Sequence, residues 1–433
     1  MNKEILRIAI PNIISNITIP LLGMVDLAIL GHLESGIYIG AVALGSMIFN
    51  FIYLGFGFLR MSSSGFTAQA YGAKNPTEII RTLGRAVSVA LFGSLIILSL
   101  QTPIAMLGFE LISGSSEVEF LAKEYFFIRI YAAPAAISLF AITGWFLGMQ
   151  NARYPMIIAI SITVLNLIFN VIFIYYFGMK SEGVALGTLI AQYCGLSLAI
   201  ILFLKKYRSY LKYWTYKGMM QLNALKRFFM VNRDILIRTL LLILTLSFFT
   251  AESARISDEV LAANTILLQF FFIYSYLIDG FAYSAEALVG KYVGASSQEG
   301  LKRTIRDLFK WGVGISLVFT LVYFLSGKHI LLLITNDPRV ISDAIPYLPW
   351  IVTIPLATFA AFIWDGIFIG ATASKALRNA MLISTIILFF PFYYLIGKNL
   401  GNHGLWMSLM LFMLSRGILL FILRKSVYKQ IFT

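Results

Sequence analysis

Twelve apolar runs of helix length leave this chain little choice of environment. They lie at about residues 8 to 31, 39 to 59, 87 to 108, 125 to 148, 157 to 177, 183 to 204, 235 to 256, 260 to 281, 311 to 331, 346 to 371, 379 to 397 and 404 to 423. A bilayer core about 30 Å thick takes roughly 20 residues of helix. Backbone in lipid must satisfy its own hydrogen bonds, which only helices and closed barrels do. The runs lack the ten-residue alternation of barrel strands, so the expected fold is an all-α polytopic membrane protein. Only 12% of the 433 residues are charged, against roughly 25% in a soluble domain.

The net charge of +14 needs a reading of its own. Nucleic-acid binding calls for cations gathered on a solvated face with exposed aromatics, but the aromatics here sit inside the apolar runs, so no nucleic-acid partner is expected. Sorted over twelve spans, 25 of the 34 Lys and Arg fall at the termini and in the loops on their side, six in the opposite loops, and three (Arg129, Arg238 and Arg416) inside spans. Cytoplasmic loops carry the Lys and Arg excess, which places both termini in the cytoplasm of a multi-pass inner-membrane protein. The first run is span-length and lacks a small-residue cleavage site, so it reads as a span rather than a removable signal.

Several chemistries are excluded at this stage. Cys194 is the single cysteine, and His32, His329 and His403 fall in separate polar breaks, so no metal cage or nucleophile cluster is expected and the chain is not read as an enzyme. No GxxxxGK loop is present to cradle ATP. The remaining energy source is an ion gradient, and no cofactor is expected.

A shift of 222 residues lays the chain on itself. Ala41 then meets Ala263, Ser62 meets Ser284, Gly72 meets Gly294, Arg81 meets Arg303, Gly144 meets Gly366 and Gly148 meets Gly370. An even number of spans per unit keeps both copies in one orientation, giving two six-helix lobes related by an axis along the membrane normal. The expected organisation is an N-lobe at 1–204, a basic cytoplasmic linker at 205–233 and a C-lobe at 234–433. This is a transporter plan, with a site expected between the halves near the midplane and rocking as the access mechanism. A channel would need rings of polar residues from several subunits; this chain is expected to act as a monomer.

An ionised side chain at a helix centre costs about 2.5 to 3.5 kcal/mol on insertion scales, so each is a functional candidate by default. Asp26 in "PLLGMVDLAILGHL" has no basic residue within a helical turn, and Pro11 and Pro20 in the same span permit a bend. Such an acid suits a proton taken up and released in each cycle. Asn166 and Asn170 share one face of span five by their i, i+4 spacing, as do Thr188 and Gln192 on span six. These are either interhelical ties or partners of Asp26. In the second half the candidates are Asp365 in span ten, Asp279 and Glu286 two turns apart on span eight, and Glu252. Glu252 stands three residues from Arg255, so a local salt bridge competes with a coupling role. Glu286 has Lys291 as an alternative partner. Phe272 and Tyr276 could offer ring faces to flat organic cations, or simply pack.

Several long blocks in order carry a family resemblance: "IPNIISNITIPLLGMVDLAILGHL", "RMSSSGFTAQAYGAKNP", "DGFAYSAEALVG", "DGIFIGATASKALRNAM" and "LGNHGLWMSL". Over nearly its whole length the chain resembles the multidrug and toxic compound extrusion (MATE) family, in its DinF-like branch. The resemblance implies twelve helices in two lobes and export of drug-like, mostly cationic amphiphiles in exchange for protons or sodium. It implies that Asp26 is the coupling acid, that Asn166 and Thr188 are its polar partners, and that Asp365 matches an acid used on helix ten. Asn170 stands where relatives commonly carry an acid, a departure that weighs against tight sodium binding, since a hard cation favours anionic oxygens. A lipid-linked precursor flippase of related architecture is the alternative. It would need Arg129, Arg238 and Arg416 to face a cavity.

Overall fold

The computed structural model describes residues 1–31, 36–111, 114–219 and 221–431, with backbone alone for Ile19, Leu21, Leu22, residues 24–31, Tyr216 and Lys217. Helices dominate throughout. We number the membrane-length segments α1 (Asn2–Gly31), α2 (Ile37–Gly72), α3 (Pro76–Ser99), α4 (Ser116–Gly148), α5 (Arg153–Tyr176), α6 (Ser181–Tyr213), α7 (Leu222–Ile256), α8 (Asp258–Gly294), α9 (Gln298–Ile334), α10 (Pro338–Gly370), α11 (Ser374–Leu395) and α12 (Gly397–Lys429). Among the described residues, eleven of these are long and apolar enough to cross a bilayer. With α1, thirty residues long, they account for the twelve spans expected from hydropathy. Their ends run past the apolar runs because polar loop residues, such as Glu117 and Glu119 in α4 and Lys302 and Arg303 in α9, continue the helical backbone.

Several helices are interrupted at or just ahead of a proline or glycine, which weaken the ladder. α2 breaks at Gly57, and α4 tightens to a 3₁₀ turn at Ile130–Ala132 just before Pro134. α5 ends in a π turn at Ile172–Tyr176, and α11 carries another at Ile383–Phe389 ahead of Pro391. α1 runs unbroken through both Pro11 and Pro20.

Two compact units partition the chain: residues 14–228, and residues 1–13 together with 229–433. Inside the first, Phe49, Tyr125, Phe126, Trp145 and Phe146 are almost fully buried, and the Trp145 indole N–H donates to the Ile79 carbonyl at 2.9 Å. The core of the second holds Phe249, Phe270, Tyr274, Phe368, Tyr393 and Trp406. Its amino-terminal piece is tied in by polar bonds: the Ser284 hydroxyl donates to the Ile5 carbonyl at 3.0 Å, and Lys291 pairs with Glu4 at 3.0 Å.

The 222-residue repeat is visible in backbone detail. Two residues past the end of α2, Lys74 lies in the left-handed region (φ 52°), and two past the end of α8, Ser296 has the same φ. At both ends the next two amides turn back onto the last turn: Lys74 to Tyr71 and Asn75 to Ala70, then Ser296 to Val293 and Ser297 to Tyr292, all near 3.0 Å. This pattern satisfies carbonyls that the helix leaves open. The following helix is capped alike, by the Asn75 side chain on the Glu78 amide and the Ser297 hydroxyl on the Gly300 amide. α4 and α10 repeat the theme at Gln150 (φ 60°) and Thr372 (φ 53°). A left-handed non-glycine residue costs about 1 to 2 kcal/mol, so four of them at matching positions mark an inherited frame.

Close helix contacts repeat as well. A Cβ on Gly144 would strike the Arg60 carbonyl, and one on Gly366 would strike the Ala282 carbonyl, 222 residues on in both partners. Gly148 against Ser64 and Gly370 against Glu286 form a second matched pair. Small residues at such points let membrane helices approach backbone to backbone. They fix α2 against α4 in one unit and α8 against α10 in the other.

Candidate functional site

In the unit spanning residues 14–228, α5 and α6 pack side by side and bury a cluster of neutral polar groups. Asn166 is 1% exposed, Asn170 0% and Thr188 8%. The i, i+4 spacing stacks the two amides, and Asn170 Nδ2 donates to Asn166 Oδ1 at 3.0 Å. Asn166 Nδ2 in turn donates to Thr188 Oγ1 at 2.9 Å, and that hydroxyl donates to the Val184 carbonyl at 2.9 Å. The result is a directed chain from α5 across to α6. Gly187 makes room for it: a Cβ there would collide with Asn170 Oδ1. Amides and hydroxyls both donate and accept, so such a chain responds to a neighbour that changes from acceptor to donor.

Asp26 lies on the helical backbone of α1, but its side chain falls outside the described residues. Gln192 sits half-buried one turn beyond Thr188 on α6. Arg129 belongs to the same unit and is held locally. It donates to Ser46 Oγ at 2.9 Å and to the Tyr125 hydroxyl, with its guanidinium 4.8 Å from the Phe49 ring centre.

The other unit solves its polar interior with charge. Asp365 on α10 is 5% exposed, and its Oδ2 accepts from Arg238 of α7 and from Arg416 of α12, the latter at 2.5 Å. Both arginines are also buried. One carboxylate therefore ties three helices. Arg416 lies 5.4 Å from the Phe412 ring centre. None of the three intramembrane arginines is thus a bare cation.

The remaining acids are distributed through this unit. Glu252 is 6% exposed; Oε1 accepts from Arg255 at 2.6 Å, the i, i+3 contact expected from spacing, and Oε2 accepts from the Tyr393 hydroxyl of α11 at 2.9 Å. Glu286 is buried on α8, and Asp279 is half-buried two turns earlier. Lys291, a sequence-level partner for Glu286, instead bonds Glu4. Phe272 and Tyr276 are half-buried on α8. Among the described residues no three His, Cys, Asp or Glu side chains converge as metal ligands.

Two polar clusters escaped the sequence reading. Asn264 of α8 and Asn402 of α12 exchange amide hydrogen bonds at 2.7 and 3.0 Å, and the Trp406 indole and Ser253 hydroxyl join them. Asp234 at the start of the α7 span accepts from Arg378 at 2.7 Å and from the Ser374 hydroxyl at 3.0 Å. Apart from Ser253, which is 11 residues from Asn264, their partners lie 138 to 144 residues apart in sequence. Asn264 stands within an apolar run, but Asn402 lies in a polar break beside Lys398, Asn399 and His403, so spacing gave no signal for the pair.

Comparison with known proteins gives a consistent picture. The profile of the MatE family matches twice, over residues 11–172 and 235–395. The chain is 37% identical over 421 residues to DNA damage-inducible protein F of Escherichia coli, covering 96% of this chain and 90% of that one. It is 24% identical to a probable multidrug resistance protein NorM of Photorhabdus laumondii, covering 98% and 95%. Among solved structures it superposes on a MATE protein in the bent conformation with a TM-score of 0.89 at 20% identity, covering 99% of this chain and 96% of that chain. A MOP superfamily transporter from Pyrococcus furiosus gives 0.84 at 18% identity, covering 100% and 96%.

Proposed function

The chain belongs to the multidrug and toxic compound extrusion family of multi-pass membrane transporters, and from that premise we propose that it is a proton-coupled antiporter exporting mostly cationic amphiphiles. The observation that carries this reading is the buried chain Asn170 to Asn166 to Thr188, composed of neutral groups in the unit to which Asp26 also belongs. An ionised carboxylate only accepts hydrogen bonds, whereas a protonated one also donates. Proton uptake by Asp26 from outside would reverse one link and reset the donor order along α5 and α6. With Pro20 two turns before Asp26, the helix is free to bend with that reset. Substrate arriving from the cytoplasm would then favour proton loss.

The residue types favour a proton over sodium. Asn170 replaces an acid common in relatives, so the set of Asp26, Asn166, Asn170 and Thr188 holds a single carboxylate; sodium, a hard ion, prefers more anionic oxygen. Asp365 serves in this scheme as a tie between helices, with Arg238 and Arg416 as its fixed counter-charges. Half-buried Phe272 and Tyr276 supply ring faces for organic cations. The flippase alternative draws no support from the three intramembrane arginines, each of which is engaged within its own unit. We place the protein in the inner membrane with both termini cytoplasmic, on the Lys and Arg distribution, and working as a monomer.

The test is transport of a fluorescent organic cation in proteoliposomes under an imposed proton gradient, then a sodium gradient. Wild type is expected to respond to protons alone, and Asp26→Asn to fall to the level of empty liposomes. Equal rates for Asp26→Asn and wild type at equal protein content would overturn the assignment.

A further inference from the structure

Along one face of α9 the side chains change character over little more than three turns. Arg306 and Lys310 are exposed cations, and Val313 and Leu317 on the same face are exposed apolar residues. From Lys310 to Leu317 the helix rises about 10 Å. Arg306, Phe309, Lys310, Val313 and Gly314 line one wall of an open groove of about 720 Å³, and Leu317 follows one turn beyond Val313.

α10 and α12 complete it, within one unit. Trp364 of α10 is 3% exposed and forms the floor, with the Phe309 ring 5.1 Å and the Phe421 ring 6.3 Å from it, centre to centre. Arg424, where the α12 backbone turns, lays its guanidinium 3.8 Å from the Phe421 ring centre. Arg306 has an acidic neighbour, Asp307, at 3.5 Å. No acid lines the groove itself. The head is therefore cationic, with Lys310 and Arg424 as its principal charges, and the body is apolar and aromatic.

We propose that this groove is a binding site for an anionic phospholipid, whose phosphate sits between Lys310 and Arg424 and whose acyl chain lies over Trp364 toward Leu317. Charge complementarity selects the occupant. Basic pockets between membrane helices hold anionic headgroups, and each cation near the surface contributes about 1 kcal/mol. A soluble anion would use the cations but leave the aromatic floor unmatched. An organic cation would be repelled at the head. The placement of basic loops puts this end at the cytoplasmic leaflet, where anionic lipid meets it. The site is separate from the α5–α6 cluster in sequence and in unit, so it bears on lipid dependence rather than on ion coupling.

Gly314 gives a clean way to block it. A Cβ there meets nothing within 4 Å, so Gly314→Phe fills groove space without displacing the packed helices. Full-length protein, stripped with detergent and incubated with equal phosphatidylglycerol and phosphatidylcholine, is examined by native mass spectrometry for retained lipid. Wild type should retain phosphatidylglycerol roughly thirtyfold over phosphatidylcholine, the selectivity expected of two cations. The Lys310→Gln/Arg424→Gln variant should lose that preference, and Gly314→Phe should lose retained lipid of both kinds. Thermal unfolding in phosphatidylcholine alone should match wild type for all variants, which separates lost binding from lost fold. Equal retention of the two lipids by wild type, or unchanged retention in Gly314→Phe, would overturn the proposal. So would displacement of lipid by inorganic phosphate alone or by a fluorescent organic cation.

Discussion

The two compact units share a backbone frame and differ in what they bury. Residues 14–228 enclose an amide and hydroxyl chain on α5 and α6, whereas the other unit encloses an Arg–Asp–Arg cluster on α7, α10 and α12. The repeat shift carries neither onto the other: Asp365 corresponds to Thr143, and Arg238 to Asn16. The glycines, left-handed turns and caps are what repeat. Duplication preserved the contacts that set helix spacing, where any added atom collides with backbone. It released the interior polar positions, where neutral groups can be reoriented by a single proton and fixed charges hold each other still.

The sharpest way to break this contrast is to remove the shared carboxylate. Asp365→Ala leaves two arginines buried against each other, and loss of one partner from a buried ionic cluster typically costs about 3 to 5 kcal/mol. We expect a large fall in the unfolding temperature in detergent; a small one would mean that Arg238 and Arg416 are hydrated and the cluster is not a tie. The shared frame is tested next. Gly144→Val and Gly366→Val each drive a side chain into a facing backbone carbonyl and should destabilise by similar amounts, at least the roughly 1 to 3 kcal/mol of core overpacking. A marked difference between the two would show that the repeat is not energetically equivalent. The smallest effect on stability should come from Asn170→Ala. Polar ties between membrane helices average about 0.6 kcal/mol, so the unfolding temperature should barely move while proton-driven export drops. Loss of stability with export intact would reverse the roles assigned to the two units.

Local spacing made part of this visible from sequence. Asn166 with Asn170, and Glu252 with Arg255, are neighbours on a helix whatever surrounds them, and both contacts are present. Arg238 and Asp365 stand 127 residues apart, and no periodicity links them. Asp365 read alone is a candidate coupling acid; beside two guanidiniums it is a brace. Asn264 and Asn402 illustrate the same gap, each unremarkable until the helices carrying them meet. The amino-terminal end is a further case: the apolar run read from residue 8 does not reveal that Glu4 and Ile5, ahead of it, bond to α8.

By itself, then, the order of residues determined the medium, the number of spans and the duplicated halves. Lipid offers the backbone no hydrogen-bond partners, and a run of about 20 apolar residues has one stable answer there. Helix packing decided which buried charges are neutralised and which polar groups form a chain. Those outcomes depend on side chains from distant segments arriving within 3 Å of each other, a distance that hydropathy and spacing do not encode.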